Sequence, residues 1–598
     1  DLGYYDLTVT AAGQSATMRL ILAPDRAYLP EDLRAGGIAI SLYGVCSSRN
    51  WGCGDLRDLR DVIDWAAQDA GASFLALNPL HAIHNRRPYN TSPYLPNSIY
   101  YQNFLYLDIE VIEDFQASAR AQTLWRKPET QESLARLRSS EVVEYEQVHA
   151  LKLQFLKLGF LEFLRQCRRG SARAEEFERY VARQGELLDR FAVYCALDEH
   201  LHKLNSDVWI WPDWPEPYRN PDSAETMAFQ KKHWRSVVFY KYTQWQLDRQ
   251  LAEAQAYARK QGLPIGLYHD LALATDRCGS DLWAHRDFFI AGCRVGSPPD
   301  GFSPKGQDWA FPPPNSDRHY QDGYRLFTES IRNNCRHGGA LRIDHVMRFF
   351  RLYWIPDGVD ATAGAYVRDR YEDLVRILAL ESVRNRVIIV GEDLGTVEPE
   401  VRLTLERFGI LSYRLFYFER DGGEFRASDQ YPRNALVSTT THDLPTLAGF
   451  WINADIEARR NAGLLPGEAS YHRQVADRAR DKQKMLDVLF RLNLLPPSFP
   501  RSAIDLPELT GELHNAAVGF LALTPSRLFL VNQEDLTKEV AQQNLPGSTW
   551  QYPNWSRKMR FTVEALRGSQ EARDFTMMFR NWLGRSGRLL EVGKAMRP

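Results

Sequence analysis

Eight short apolar runs, each closing on polar or charged residues, place the strongest constraint on what this chain can fold into. They are Ile38–Val45, Ser73–Leu77, Ile265–His269, Ala340–Ile343, Val387–Val390, Ser412–Tyr417, Ala435–Thr439 and Arg527–Val531. A strand buried on both faces reads as a continuous apolar run rather than an alternating one, which is the mark of a parallel sheet covered by helices. Eight such strands, separated by stretches long enough for crossover helices, predict an α/β protein with a closed (β/α)8 barrel.

The chain has 598 residues, more than one barrel needs, so inserted or appended subdomains are expected. The gap between the second and third runs is far too long for one crossover helix. From Gln122 to His202 it carries helical periodicity, as in Leu151, Phe155, Leu158 and Phe163. We therefore expect a catalytic barrel over residues 36–598, with 96–260 as an inserted, largely helical subdomain. Tyr5 to Thr10 and Ala16 to Leu22 alternate around Gly13 and predict a hairpin, so residues 1–35 read as a short N-terminal β-rich remnant. A loop rich in Pro and Gly, Ser297 to Asn315, is long enough to expect a functional use.

Acidic and basic residues nearly balance, for a net charge of -2, which leaves no large field to hold nucleic acid. A neutral partner fits better. No apolar stretch approaches bilayer-spanning length and no basic-then-apolar leader opens the chain, so membrane association and export are not expected. Seven cysteines, an odd number with no pair at two-residue spacing, suggest neither a zinc site nor a disulfide framework. A cytoplasmic setting follows. No phosphate-binding glycine loop appears, and we expect no cofactor. Aromatic residues reach 12%, enough for some rings to stack on sugar faces while most fill the core. The cluster from Trp209 to Pro215 is suited either to that or to anchoring the helical insert.

Three of the apolar runs end in, or lead directly to, an acidic residue: Asp344 after Ile343, Glu392 after Gly391, and Asp443 after His442. Strand C-terminal ends form one face of such a barrel, so acidic groups distant in sequence converge there. Taken singly, an Asp at a strand end usually caps a helix. Three together, two of them beside a histidine, favour a common site.

The strings ALRIDHVMRFFRLYWIP, IIVGEDLGTVEPEV and STTTHDLPTLAGFW resemble the nucleophile, acid/base and third-carboxylate motifs of the amylomaltases, the 4-α-glucanotransferases of glycoside hydrolase family 77 in the α-amylase clan. SLYGVCSSRNWGCGDL, TSPYLPNSIYYQNFLYLDI, GSPPDGFSPKGQDWAFPPP and LPGSTWQYPNWSRKM add to the likeness, which runs from about residue 38 to 560 and is nearest to the longer bacterial forms with an added N-terminal β-domain. The resemblance implies a TIM barrel that moves α-1,4-glucan segments between maltooligosaccharides through a covalent glycosyl-enzyme. It makes Asp344 the nucleophile, Glu392 the general acid/base and Asp443 the stabiliser of the distorted sugar. Arg342, two residues before Asp344 on the same strand face, is placed to hold its charge.

His345 and His442 resemble donors to the hydroxyls of the donor glucose. Asp270 closes the third run with a structural or substrate-hydroxyl role, and Ser92 and Tyr94 resemble residues that approach the donor sugar, Tyr94 as a platform. In the Pro-rich loop, Pro298, Pro299 and Asp300 supply a rigid turn, while Phe302, Gln307 and Trp309 are expected to close over a glucan chain. Gly301 follows Asp300 where some shorter relatives carry a substrate-touching tyrosine. Asn554 and Trp555 read as architectural. The expected partners are maltooligosaccharides and α-1,4-glucans, in a monomer or homodimer, with no nucleic acid and no membrane. Two rivals stand beside this reading: a related hydrolase or branching enzyme, and a catalytically silent glucan-binding protein on the same fold.

Overall fold

A computed structural model describes residues 1–86, 91–167, 170–299 and 305–589. Eight parallel strands close into a barrel: β1 (Ala35–Ile40), β2 (Phe74–Leu77), β3 (Gly266–Leu271), β4 (Ala340–Ile343), β5 (Ile388–Gly391), β6 (Leu411–Leu415), β7 (Ala435–Ser438) and β8 (Leu528–Asn532). Neighbours around the barrel are neighbours in the chain, and β8 returns to β1. Each strand presents side chains alternately to two apolar cores. Phe74, Ala76, Tyr268, Ala340, Ile388 and Leu436 fill the barrel, whereas Leu75, Leu267, Leu341, Ile389 and Val437 pack outward under the helices. Burial on both sides explains why the strands appear in the sequence as unbroken apolar runs.

Seven runs fall within two residues of the strands they predict, but the first is displaced toward the N-terminus. β1 begins at Ala35, and the chain curls into a short 3-10 turn at Leu42–Gly44. The strand runs through Gly36 and Gly37, which carry no apolar signal. Their place is set by close approach: a Cβ on Gly36 would lie 2.2 Å from Leu583 Cδ2, and one on Gly37 2.5 Å from Phe74 Cδ2.

Between β2 and β3 the chain makes its largest excursion. It contains the long helices α1 (Tyr145–Cys167), α2 (Ala172–Leu204) and α3 (Trp234–Gln261), the last leading back into β3. Trp214, fully buried, packs against Tyr194 and Trp283, and the Trp211 indole N–H donates to Arg277 O at 3.3 Å. This part of the aromatic cluster anchors the insert. Part of the Pro-rich loop is strand: Cys293–Ser297 and Gln307–Asp308 join Arg351–Pro356 and Ala365–Arg368 in a four-stranded sheet beside the barrel mouth.

The N-terminal hairpin pairs Gly3–Ala11 with Gln14–Leu22 through a two-residue turn in which Ala12 and Gly13 both have positive φ, 50° and 78°. That conformation matches the natural twist of paired strands. One face rests on the barrel through Arg19, which donates to Gly323 O at 2.9 Å and covers the Tyr4 ring. The other, with Tyr5, Leu7, Val9 and Met18, is exposed. Among the described residues no helix is long and apolar enough to cross a membrane.

Candidate active site

The C-terminal ends of β3, β4 and β5 gather the first group of charged side chains. Register pairs Arg342 on β4 with Asp270 on β3, both pointing into the barrel mouth. Arg342 Nη1 donates to both Asp270 oxygens, at 2.8 and 2.9 Å, and its Nη2 lies 2.8 Å from Asp344 Oδ1. Asp344 is the first residue past β4; its second oxygen accepts from Leu273 N at 3.4 Å. One guanidinium therefore clamps two carboxylates, an arrangement suited to its planar fork.

Glu392 follows β5 directly. Its Oε1 accepts from Leu394 N at 2.6 Å and its Oε2 from His345 N at 3.0 Å, so Glu392 is tied to the residue beside Asp344. Burial is the main reason its pKa is pushed up to about 7; Arg342 opposes the shift and the Asp344 charge adds to it. Gly391 makes this approach possible, because a Cβ there would meet Val346 Cγ2 at 2.9 Å. His345 adopts φ 46°, a left-handed conformation that costs a non-glycine residue roughly 1–3 kcal/mol. The strained backbone aims its N–H at Glu392. Burial also lowers the His345 pKa to about 4, against the pull of Asp344, leaving a neutral imidazole.

The second group lies beyond β7 and β8. Asp443 is five residues past the end of β7, on the loop through Thr441 and His442. Its Oδ1 accepts from Asn544 Nδ2 at 2.6 Å, and its Oδ2 lies 3.3 Å from His442 Nε2. Partial burial raises the Asp443 pKa, but His442 and Asn544 outweigh it and hold the carboxyl below its ordinary value.

Tyr94 joins the two groups. Its hydroxyl donates to Asp270 Oδ2 at 2.6 Å and lies 3.1 Å from His442 Nδ1, while its ring stacks on His442 at 4.3 Å. Ser92 Oγ accepts from Tyr94 N at 3.2 Å and so supports the loop. Contacts thus run without a break from Asp344 through Arg342, Asp270, Tyr94 and His442 to Asp443. Beneath them is a cavity of about 90 Å³, with Tyr94, Asp270, Arg342, Tyr413, His442 and Glu534 in its wall.

Trp309 packs edge-on against His345, with 5.3 Å between ring centroids, and its indole N–H donates to Gln307 Oε1 at 3.0 Å. Pro298 is half-buried at the end of the Cys293–Ser297 strand. Asp300 and Phe302, expected in the same loop, lie outside the described residues. Trp555, read in the sequence as architectural, has its ring 5.0 Å from His442 and 5.3 Å from Tyr94 and lines the cavity. Asn554 caps its own loop by accepting from Leu545 N at 2.8 Å. Asn544, Glu534 and Tyr413 were not anticipated. The segment around Asn544 has no strand of its own and its side chain meets Asp443 across 101 residues, so the one available signal was its place beside the LPGSTWQYPNW string.

The family model for 4-alpha-glucanotransferase matches residues 40–563, most of the chain and all the residues above. The chain belongs to the 4-alpha-glucanotransferase family. It is 36% identical over 578 residues to the 4-alpha-glucanotransferase of Haemophilus influenzae, covering 94% of this chain and 82% of that one. With the Mycobacterium bovis 4-alpha-glucanotransferase it shares 37% identity over 93% of this chain and 75% of the relative. Among solved structures, the amylomaltase of Corynebacterium glutamicum superposes with a TM-score of 0.84 at 31% identity, covering 97% of this chain and 80% of that one. The amylomaltase of Streptococcus agalactiae, solved in complex with acarbose, shares the fold at a TM-score of 0.72 and 18% identity, covering 93% and 99%. The chain is thus a family enzyme, a 4-alpha-glucanotransferase of amylomaltase type on a (β/α)8 barrel.

Proposed function

We propose that this enzyme transfers α-1,4-glucan segments between maltooligosaccharides by double displacement with retention, using Asp344, Glu392 and Asp443. The observation that carries the reading is the unequal treatment of two neighbouring carboxyls. Asp344 is clamped by Arg342, while Glu392 is buried and pushed up to about 7. A buried carboxyl that keeps its proton is suited to act as the acid, and its neighbour held by a guanidinium to act as the nucleophile.

In the first step Asp344 attacks the anomeric carbon as Glu392 gives its proton to the departing glycosidic oxygen. A glycosyl ester on Asp344 forms, and the free glucan end leaves carrying the proton. In the second step Glu392, now ionised, takes the proton from an acceptor hydroxyl, whose oxygen displaces Asp344 and restores the original configuration. Asp443, His345 and His442 bind the hydroxyls of the donor glucose, with Asp443 stabilising the positive charge that develops on the ring. Tyr94 supplies an apolar face, and Trp309, Gln307 and Pro298 border the acceptor. An odd number of cysteines, with no two at two-residue spacing, supports a reducing, cytoplasmic setting.

Transfer must outcompete hydrolysis. Water at about 55 M faces an acceptor near about 10 mM, so a tenfold preference for transfer needs roughly 5 × 10^4 in discrimination, about 6 kcal/mol. A positioned acceptor supplies roughly 7–11 kcal/mol through effective molarity. The deciding experiment follows products from maltotriose. Glucose should appear with a ladder of longer oligomers while total reducing ends stay constant; a steady rise in reducing ends would make the enzyme a hydrolase, and new α-1,6 bonds would make it a branching enzyme.

A further inference from the structure

His442 and Asp443 ride on the loop 440–446, and both ends of that loop meet one carboxylate. Thr439, the first residue past β7, donates its hydroxyl hydrogen to Asp535 Oδ2. Leu447, which opens the helix Leu447–Ile452, donates its N–H to Asp535 Oδ1 at 2.7 Å. Asp535 stands on the single turn Gln533–Leu536 directly after β8. Its own backbone is tied outward, because His514 on the helix Gly511–Ala522 donates Nε2–H to Asp535 O at 2.7 Å. Asp535 and Thr439 are fully buried, and Leu447 is nearly so.

An acid in this place is costly to the fold. Burial pushes its pKa up to about 6, the bonds from Thr439 and Leu447 pull the other way, and Glu539 adds like charge. Among the described residues no basic side chain pairs with it. An apolar residue of similar size would fill the space without that cost, so packing alone does not account for Asp535. What a carboxylate adds is a pair of rigidly joined oxygens that meet two donors at once. Glu534 stands in the wall of the cavity but Asp535 does not, so Asp535 acts on the site through the loop.

We infer that Asp535 is a positioning residue that brackets the two ends of loop 440–446, so that the middle of the loop carries His442 and Asp443 to the donor sugar. Fixing both ends removes much of the freedom of a short loop before any substrate arrives. Other ties hold single points. Asn532 Nδ2 donates to Thr440 O at 3.0 Å, and Thr446 Oγ1 donates to Val540 O at 3.1 Å. Asn544 holds Asp443 in the middle. Asp535 instead joins one end of the loop to the other, which confines the softer mount of Asp443 to the middle. The bracket is a property of the free protein, and its effect on turnover rests on the proposed role of Asp443.

Two measurements on the full chain separate the bracket from the chemistry it serves. Hydrogen exchange over residues 440–449 should be about tenfold faster in Asp535→Ala than in wild type, with β3 to β5 unchanged. Asp535→Asn should exchange like wild type, because its amide oxygen can accept from Leu447 N while its NH2 donates to a turned Thr439 hydroxyl. Turnover of maltotriose should follow the same order. Asp535→Ala should lower kcat about thirtyfold with KM within about threefold, and Asp535→Asn should stay within about threefold of wild type. In an Asp443→Asn background the alanine change should cost less than about threefold more, since the group it positions is already gone. Thr439→Val keeps the shape and frees one end. It serves if Asp535→Ala folds poorly, and should lower kcat about fivefold, again with little further loss beside Asp443→Asn. Unaltered exchange over the loop, an Asp535→Asn variant as impaired as the alanine one, or an equal loss of kcat in both backgrounds overturns the inference. Exchange that responds as described, in a protein whose Asp443→Asn variant turns over like wild type, would keep the bracket and refute the role given to Asp443.

Discussion

On the β3–β5 side of the barrel mouth Asp270, Asp344 and Glu392 lie on a strand or one residue beyond it, whereas on the β7–β8 side Asp443 hangs from a loop five residues past its strand. The first side is held by ladder register: Asp270 and Arg342 are paired residues, and Asp344 and Glu392 continue directly from strands that share hydrogen bonds. The second is held by side chains, chiefly the Asn544 amide. Exposure follows the same division, with 19% of the Asp344 side chain accessible against 46% for Asp443. On the proposed mechanism, the groups that carry the bond-making and proton-transfer steps are fixed by the backbone, and the group that would follow a distorting sugar has a softer mount.

The largest expected effect tests whether the rigid side carries the bond-making step. Asp344→Asn removes the proposed nucleophile at nearly constant shape and should lower kcat by roughly 10^4 to 10^6, leaving maltooligosaccharide affinity within a few-fold by calorimetry. Asp443→Asn, on the softer side, should cost less, about 10^2 to 10^3 in kcat, as expected for a group that stabilises charge without forming a bond. Equal losses at the two positions would erase the distinction between the sides.

The pH dependence sharpens the same contrast. Glu392 is raised from 4.5 to about 7 in the folded protein, so it stays protonated into the neutral range while the unfolded chain ionises near its ordinary value. Its contribution to stability is complete below 4.5 and is lost as pH rises through about 7. Activity should follow the protonated form, with kcat/KM for maltotriose falling about tenfold per pH unit above neutrality. An alkaline limb that stays flat to pH 9 would show that Glu392 is not the acid.

The division between the sides also decided what the sequence could reveal. Asp344 and Glu392 were legible because apolar runs end at them, and Arg342 because a period of two puts it on the same face as Asp344. β1 was misplaced because Gly36 and Gly37 contribute no apolar pattern, their role being to admit Leu583 and Phe74. Asn544 stayed hidden for a different reason. Its contact with Asp443 spans 101 residues and arises only when the loops after β7 and β8 meet. Trp555 drew attention by its motif, but its tilted packing beside His442 depends on the same loop closure.

The smallest effect is expected at that hidden contact, and it discriminates most finely between the two kinds of mount. Asn544→Ala deletes the amide at 2.6 Å from Asp443 Oδ1 but leaves Gln542 Nε2 near the Asp443 backbone oxygen at 3.4 Å, so the loop keeps a second tie. A hydrogen bond to a charged group contributes about 1.5–3 kcal/mol, part of which solvent restores at a carboxylate this exposed. We expect kcat to fall about tenfold with Tm within about 2 °C of wild type, because the barrel strands do not depend on the contact. Asn544→Asp should be worse than the alanine variant at neutral pH, since a like charge against Asp443 replaces a donor with a repulsion. Lowering the pH should then narrow the gap between the two variants as one of the paired carboxyls takes up a proton. If Asn544→Asp instead matched wild type at every pH, Asp443 would not depend on its amide partner, and the soft side of the mouth would be as rigid as the other.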